Sequence, residues 1–495
     1  MTGSPPAQLL LPLPDTALAA QVPDLPPRVQ RIYCNRNLRM QQIQLIGFDM
    51  DYTLAIYNQR AMDRLSIEAT ASKLVARGYP RALLTMKYQP NFPIRGLLVD
   101  RKLGNILKTD RYRYVKRAFH GTRQLDKEAR SRCYKGRPVR PGIKRYHSID
   151  TLFALSEVTV FAAVVDALDL DGAKLDYARL FDDVRACIDE AHRDGSIKDR
   201  IVQDLPRFLI ADPELPRMLH RLRSAGKRTF LLTNSDACYT EAVMRFLLGE
   251  GRADYPSWSS YFDIVVTSAA KPAFFTERNP LRQIGMPRKA EVSELVRGCI
   301  YEGGGIVEFE RLAGMGGDRV LYVGDHIYGD VLRAKKGSAW RTLMIIQEMD
   351  DELEAVERCA RDVSRMDSIE TRRYALLDAM RERQGVSKAL QRRLDAAPDE
   401  RRAELDAARL RLRRSLERLR AQTRAHEQEY SDLAERVERA FHPFWGSVFK
   451  AGSELSSFGE QVESYACLYT ARVTNLARYW PEHYFQGPRH RMAHE

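Results

Sequence analysis

A series of short apolar runs, each ended by a polar cluster, constrains the fold of this chain more than any other feature. Ile43-Gln44-Leu45-Ile46-Gly47-Phe48 runs into Asp49-Met50-Asp51-Tyr52-Thr53, and Arg228-Thr229-Phe230-Leu231-Leu232 runs into Thr233-Asn234-Ser235. Ile264-Val265-Val266 leads to Ser268 and Lys271-Pro272, and Val320-Leu321-Tyr322-Val323 to Gly324-Asp325. Thr342-Leu343-Met344-Ile345-Ile346 closes the series. Near-continuous apolar strands alternating with helical sequence predict an α/β fold with a parallel sheet covered on both faces. Ligands of such sheets bind beyond the carboxyl ends of the strands, where every one of these polar clusters falls.

The chain has 495 residues, too many for one ordinary core, so more than one domain is expected. Residues 1–30 are rich in Pro and small residues and read as a flexible tail. The alternation supports a catalytic core over 31–60 and 206–350, with an α+β domain inserted at 61–205. After 350 the sequence turns helical and charged. Leu405, Leu412, Leu416, Leu419, Thr423, His426, Tyr430, Leu433 and Val437 recur at three- and four-residue steps, the spacing of a heptad seam. A helical hairpin over 351–440 is expected. Its seam serves either oligomerisation or packing on its own domain, and 441–495 is expected to pack on the core.

Composition bounds the setting. Hydrophobic residues make up 44% and charged residues 29%, and no apolar run reaches the length of a membrane helix. No secretory pattern opens the chain, so a cytoplasmic protein without membrane association is expected. The seven cysteines show no metal-ligand spacing, so reduced thiols and no zinc are expected. The net charge of +13 suits nucleic acid or a small anionic substrate equally. No nucleic-acid module is recognisable, and none is expected to bind.

Asp49 and Asp51 follow a strand at i and i+2, which in extended chain project to the same side. Two carboxylates that close repel unless a cation relieves them, and Mg²⁺ with oxygen ligands does so. A lone DxD is more often a solvated turn. Here Asp325 and Asp330 add carboxylates, Thr233-Asn234-Ser235 offers a hydroxyl and helix N-terminal amides for phosphate, and Lys271 offers a cation. Together these are the parts that phosphoryl transfer needs.

The set DxDYT, TNS, Lys-Pro and GDxxxxD, in that order, resembles the four motifs of the haloacid dehalogenase phosphatase superfamily. That resemblance implies a Rossmann-like core with a cap and an aspartyl-phosphate intermediate. Asp49 would be the nucleophile, and Asp51 would protonate the leaving oxygen and then activate water. Thr233, Asn234 and Lys271 would bind the phosphoryl group. Asp49, the Asp51 carbonyl and Asp325 would hold Mg²⁺, with Asp330 in support. Gly47–Ala55, Gly324–Asp330, Asn35-Arg36, Phe92–Leu97 and Tyr261-Phe262-Asp263 are similar to the cytosolic purine 5′-nucleotidase branch. That branch hydrolyses nucleoside monophosphates such as IMP and GMP, can pass the phosphoryl group to a nucleoside, and is typically oligomeric.

The same resemblance implies that the insert reads the base. Arg185 and Asp189, four apart on a helix, would pair with the purine edge, with His192 and Lys198 nearby and Phe153 stacking. The bland alternatives are an i,i+4 ion pair and a core phenylalanine. Ala154 stands where the animal enzymes carry a polar residue, which leaves the base preference open. Some members respond to nucleotide effectors, for which Tyr328, Lys335 and Lys336 are candidates, although a solvated basic turn is the preferred reading. Two other functions remain in view: another phosphatase or phosphotransferase using Asp49, and a catalytically silent scaffold built on the basic helices.

Overall fold

The computed structural model describes residues 25–140, 142–169, 175–249, 254–287, 292–332 and 338–488. The 1–24 part of the expected tail lies outside these residues, and so do Lys335 and Lys336 and the side chain of Tyr328. Arg28–Gln30 form a 3-10 turn, and Val29 packs on the core.

Nine strands make the main sheet: β1 (Tyr33–Cys34), β2 (Leu45–Phe48), β3 (Arg228–Leu232), β4 (Ile264–Thr267), β5 (Leu281–Gln283), β6 (Ile300–Gly303), β7 (Val320–Gly324), β8 (Arg341–Ile345) and β9 (Leu468–Thr470). Their spatial order is β1-β9-β8-β7-β2-β3-β4-β6-β5. All neighbours run parallel except the two edge pairs, β1 with β9 and β5 with β6. β2 lies between β7 and β3, so the carboxyl end of the first apolar run opens at the middle of the sheet. Each residue of β2 is buried, as both-face coverage requires. At Gly47 a Cβ would stand 2.0 Å from Phe230 Cζ on β3, so only glycine lets that ring cross the strand.

This is the α/β core expected from the alternation, and two of its parallel strands went unread. β6 is interrupted by Glu302, and β9 arrives only after the long helices, too short at three residues to show periodicity. The C-terminal segment therefore completes the sheet, joining β8 on one side and β1 on the other.

Between β2 and β3 the chain leaves and re-enters through a two-stranded ribbon, Ile56–Tyr57 against Leu209–Ile210. The intervening residues build a second, five-stranded antiparallel sheet in the order Arg123–Gln124, Val115–His120, Asn105–Thr109, Leu97–Asp100, Tyr146–Ile149. Its long helices are α1 (Gln59–Ala76), α2 (Phe153–Asp169) and α3 (Tyr177–Arg193). Asn58 and Asp176 cap α1 and α3 by accepting from Ala61 N and from Ala178 and Arg179 N, supplying acceptors to otherwise unpaired amides. Gly96, at φ +82°, lies against the C-terminal segment, where a Cβ would meet Phe458 Cβ at 2.5 Å.

The helices α4 (Met349–Asp395) and α5 (Asp399–Phe441) pack on one another as an antiparallel hairpin. The seam is buried or half-buried throughout, with Leu416, Thr423 and Leu433 deepest, and Thr423 Oγ1 reaches Met380 of α4. The heptad stripe is thus used within the chain. Among the described residues no helix is long and apolar enough to cross a membrane.

Candidate active site

Asp49 follows β2 directly, and its amide donates to Val323 O of β7 at 2.9 Å. One of its carboxylate oxygens, Oδ1, accepts from Met50 N at 2.8 Å and lies 2.9 Å from Lys271 Nζ. Lys271 enters from the loop after β4. Its buried ammonium also meets Asp330 Oδ1 at 2.8 Å and donates to Tyr322 OH at 2.9 Å. Burial works against the ammonium, yet Asp330 and Asp49 hold its pKa well above the usual value.

Asp49, Asp325 and Asp330 each present a carboxylate oxygen within 4.8 Å of the others, all of them buried. Burial, then the neighbouring carboxylates, push Asp49 well above the ordinary aspartate range against the pull of Lys271. Burial carries Asp325 to about 7. Asp325 Oδ2 is buried with no hydrogen-bond partner among the described residues, the Arg95 guanidinium standing 3.9 Å away. A buried carboxylate oxygen with nothing to accept from is costly, and an oxygen-seeking divalent cation satisfies that deficit. The donor set therefore fits Mg²⁺.

The metal-competent carboxyls are Asp49, Asp325 and Asp330, whereas the Asp51 side chain turns away. Its Oδ1 accepts from Tyr57 OH at 2.6 Å and its Oδ2 from Ser235 Oγ at 2.8 Å. Any part for Asp51 in holding a metal falls to its main-chain carbonyl. Burial raises its pKa, with the Tyr57 and Ser235 bonds opposing.

Thr233 is fully buried, and its hydroxyl accepts from Ser235 N at 3.1 Å. Asn234 was expected to hold phosphate, but its side chain is spent on the Lys271 loop. Its Nδ2 donates to Lys271 O at 3.0 Å, and its Oδ1 accepts from Lys271 N at 2.6 Å. The amide clamps the lysine's main chain. The helix Ala237–Leu248 begins beyond the motif, and Asp236 caps it by accepting from Tyr239 N.

On the insert, Phe153 is 43% exposed and stands edge-on to Tyr52 at 4.8 Å, with His192 at 6.3 Å. Burial lowers the His192 pKa. Phe153 thus belongs to the cleft between insert and core rather than to a hydrophobic core. Lys198 pairs with Asp236 at 2.7 Å, bridging insert and core. Among the described ion pairs Arg185 meets Glu157 of α2 at 3.4 Å rather than Asp189. Burial carries Glu157 to about 7, with Arg185 pulling it down and Asp189 pushing it up, which places all three in one cluster.

Sequence reasoning missed several groups: Tyr57 and Ser235 on Asp51, Tyr322 on Lys271, Glu157 beside Arg185, and Arg95. Arg95 is fully buried, donates to the Asp325 carbonyl at 2.8 Å, and pairs with Glu348 at 2.5–2.7 Å. Phe92–Leu97 had stood out as a motif, but nothing local says that its arginine crosses to another loop.

Residues 32–495 match the model of the 5′ nucleotidase family. Human 5′-nucleotidase domain-containing protein 2 is 29% identical over 95% of this chain and 87% of its own. The rat protein of that name is 31% identical over 67% of this chain and 63% of its own. A 5′-nucleotidase domain-containing protein of Dictyostelium discoideum is 27% identical over 93% and 73%. Among solved structures, L-2-haloacid dehalogenase from Xanthobacter autotrophicus covers 62% of this chain and 78% of its own at 12% identity, with a TM-score of 0.21. At that score the fold assignment rests on the strand order itself. With the family match running unbroken from before β1 to the C-terminus, the chain belongs to the 5′ nucleotidase family and is a phosphoric monoester hydrolase.

Proposed function

We propose that the protein is a Mg²⁺-dependent 5′-nucleotidase acting on purine nucleoside 5′-monophosphates, IMP and GMP before the others, through a phosphoryl-enzyme on Asp49. The observation that carries this reading is Asp49 held 2.9 Å from the Lys271 ammonium and clustered with Asp325, whose buried Oδ2 accepts no hydrogen bond from the described residues.

Asp49 attacks phosphorus, forming an acyl phosphate as the bond from phosphorus to the nucleoside 5′ oxygen breaks. Asp51 gives that oxygen its proton and later takes one from the water that attacks the intermediate. Phosphate then leaves and the Asp49 carboxylate is restored. Lys271, fixed in advance by Asp330, Tyr322 and Asn234, and the Thr233 hydroxyl, which accepts from Ser235 N, bear on the phosphoryl oxygens. Preorganised charge of this kind is the main device of phosphoryl transfer. Asp49, Asp325 and the Asp51 carbonyl would hold Mg²⁺, which supplies charge neutralisation at the transferring group. A nucleoside hydroxyl competes with water for the same intermediate, so phosphotransfer is a second outcome of one mechanism.

The exposed face of Phe153 offers a stacking surface for the base. The half-exposed Arg185 guanidinium supplies donors that suit the 6-oxo and N7 acceptors of a 6-oxopurine, with Asp189 accepting from N1–H. Adenine, whose N1 is an acceptor, leaves such a site unpaired.

The test is phosphate release from IMP, GMP, AMP, CMP and UMP with Mg²⁺ or EDTA, beside Asp49→Asn. Mg²⁺-dependent release favouring IMP or GMP and lost in the variant is expected. Release without base preference removes the Arg185 and Asp189 roles, and release that survives Asp49→Asn removes the nucleophile.

A further inference from the structure

The ribbon through which the chain enters and leaves the insert carries one side chain into the catalytic centre. Tyr57 pairs with Leu209 across the ribbon, and Asn58 N donates to Phe208 O at 2.8 Å. From there the Tyr57 hydroxyl reaches Asp51 Oδ1 at 2.6 Å. It also lies 2.9 Å from the hydroxyl of Tyr239, on the core helix Ala237–Leu248. Both tyrosines are buried. The Tyr57 proton goes to the carboxylate, so Tyr239 donates to Tyr57 and the chain of donors runs core helix, ribbon, Asp51.

Two donors from different elements therefore hold the two Asp51 oxygens. Ser235 holds Oδ2 from the loop after β3, and Tyr57 holds Oδ1 from the ribbon. A carboxyl gripped at one oxygen alone keeps its rotation about the side-chain torsions, and a grip at both fixes its plane. A ribbon with two residues in each strand has little stability of its own, so the packing of insert against core sets its place. Phe153, on the insert, stands 6.2 Å from the Tyr57 ring.

We propose that Tyr57, backed by Tyr239, is the positioning residue for the Asp51 carboxyl, so that the ribbon at the root of the insert aims the group that protonates the leaving oxygen. The inference rests on the reading of Asp51 as the acid. Tyr57 touches no substrate and acts only through Asp51. A displacement of the insert by even a fraction of the 2.6 Å bond misaims the proton, and small errors of position at a reacting centre are expensive.

Leaving-group dependence separates this role from a general loss of structure. A nucleoside monophosphate expels an alkoxide that needs a proton, whereas p-nitrophenyl phosphate expels a phenoxide that does not. Tyr57→Phe keeps the ring and its packing and removes only the hydroxyl. It should lower kcat/KM on the preferred nucleoside monophosphate, which reports the steps up to loss of the leaving group, about tenfold to a hundredfold, a part of the roughly 10²–10⁴-fold that general-acid catalysis contributes. On p-nitrophenyl phosphate kcat/KM should stay within about threefold, while kcat also contains the water step that Asp51 assists for both substrates alike. Tyr239→Phe should show a smaller loss of the same kind, and the double variant should lose no more than Tyr57→Phe alone.

Equal loss of kcat/KM on both substrates, or none on either, overturns the proposal. Asp51→Asn run alongside keeps the two readings apart. If it too lacks a leaving-group-dependent loss, the acid assignment fails. If it shows one and Tyr57→Phe does not, the positioning role fails and the acid stands.

Discussion

The Lys271 ammonium lies 2.9 Å from Asp49 and 2.8 Å from Asp330, two of the three buried carboxyls that cluster with Asp325. Lys271→Ala leaves those carboxyls facing each other. Breaking a buried pair from one side costs about 3–5 kcal/mol, so a lower thermal midpoint is expected by calorimetry. Phosphatase kcat should fall by at least about a hundredfold. Lys271→Arg should keep the fold better than the activity, because a planar guanidinium does not reproduce an ammonium that contacts Asp49, Asp330 and Tyr322 together.

Asp325 should answer oppositely with and without metal. Its Oδ2 accepts no hydrogen bond from the described residues and has the Arg95 guanidinium only at 3.9 Å, and burial makes the charged form a liability in the metal-free protein, so Asp325→Asn should raise the thermal midpoint in EDTA at pH 8. In the wild type, added Mg²⁺ should raise the midpoint, because a ligand that binds only the folded state stabilises it. The variant should lose that response. A Mg²⁺ shift that survives Asp325→Asn would place the metal elsewhere.

Arg95 ties the insert to the loop after β7. Arg95→Met removes the donor to the Asp325 carbonyl and the partner of Glu348 while keeping most of the apolar stem. A loss of about 3–5 kcal/mol in urea denaturation is expected, with weaker Mg²⁺ affinity because the carbonyl that Arg95 anchors belongs to a candidate ligand. Glu348→Gln alone should cost less, since the main-chain contact remains.

His442 should make stability fall in mild acid. Its Nε2–H donates to Asn91 O at 2.9 Å, so Nδ1 carries the lone pair that accepts from Phe444 and Trp445 N. Burial lowers its pKa to about 4, the Asn91 bond opposing and Lys108 and Arg117 assisting. The folded pKa lies below the unfolded one, so the stability it contributes is complete above about pH 6.5. As pH falls from there to about 4, that contribution is lost at up to about 1.4 kcal/mol per unit. His442→Asn should flatten this part of the stability profile, read as urea midpoint against pH.

The five apolar runs and their polar ends could be read in order because burial on both faces of a parallel strand writes itself as continuous hydrophobicity. The heptad seam of α5 was legible for the same reason, a period imposed by burial. What the seam faces was not: packing on α4 of the same chain and on another molecule demand the same spacing. β9 and Arg95 were hidden because their partners, β8 and Asp325, lie far away in sequence, and a three-residue strand or a single arginine carries no period.

The sequence by itself determined the α/β class, the placing of Asp49, Thr233, Lys271 and Asp325 at strand ends, and the existence of an insert. Each follows from local hydrophobicity and spacing. Only the tertiary structure decided which way each functional group is turned. It gave Asp51 to Tyr57 and Ser235, Asn234 to the Lys271 main chain, and Arg185 to Glu157. Those choices depend on distances between elements far apart in the chain, set by how the insert, the core and the C-terminal segment pack. A hydrogen bond exists only where that packing brings donor and acceptor within about 3 Å.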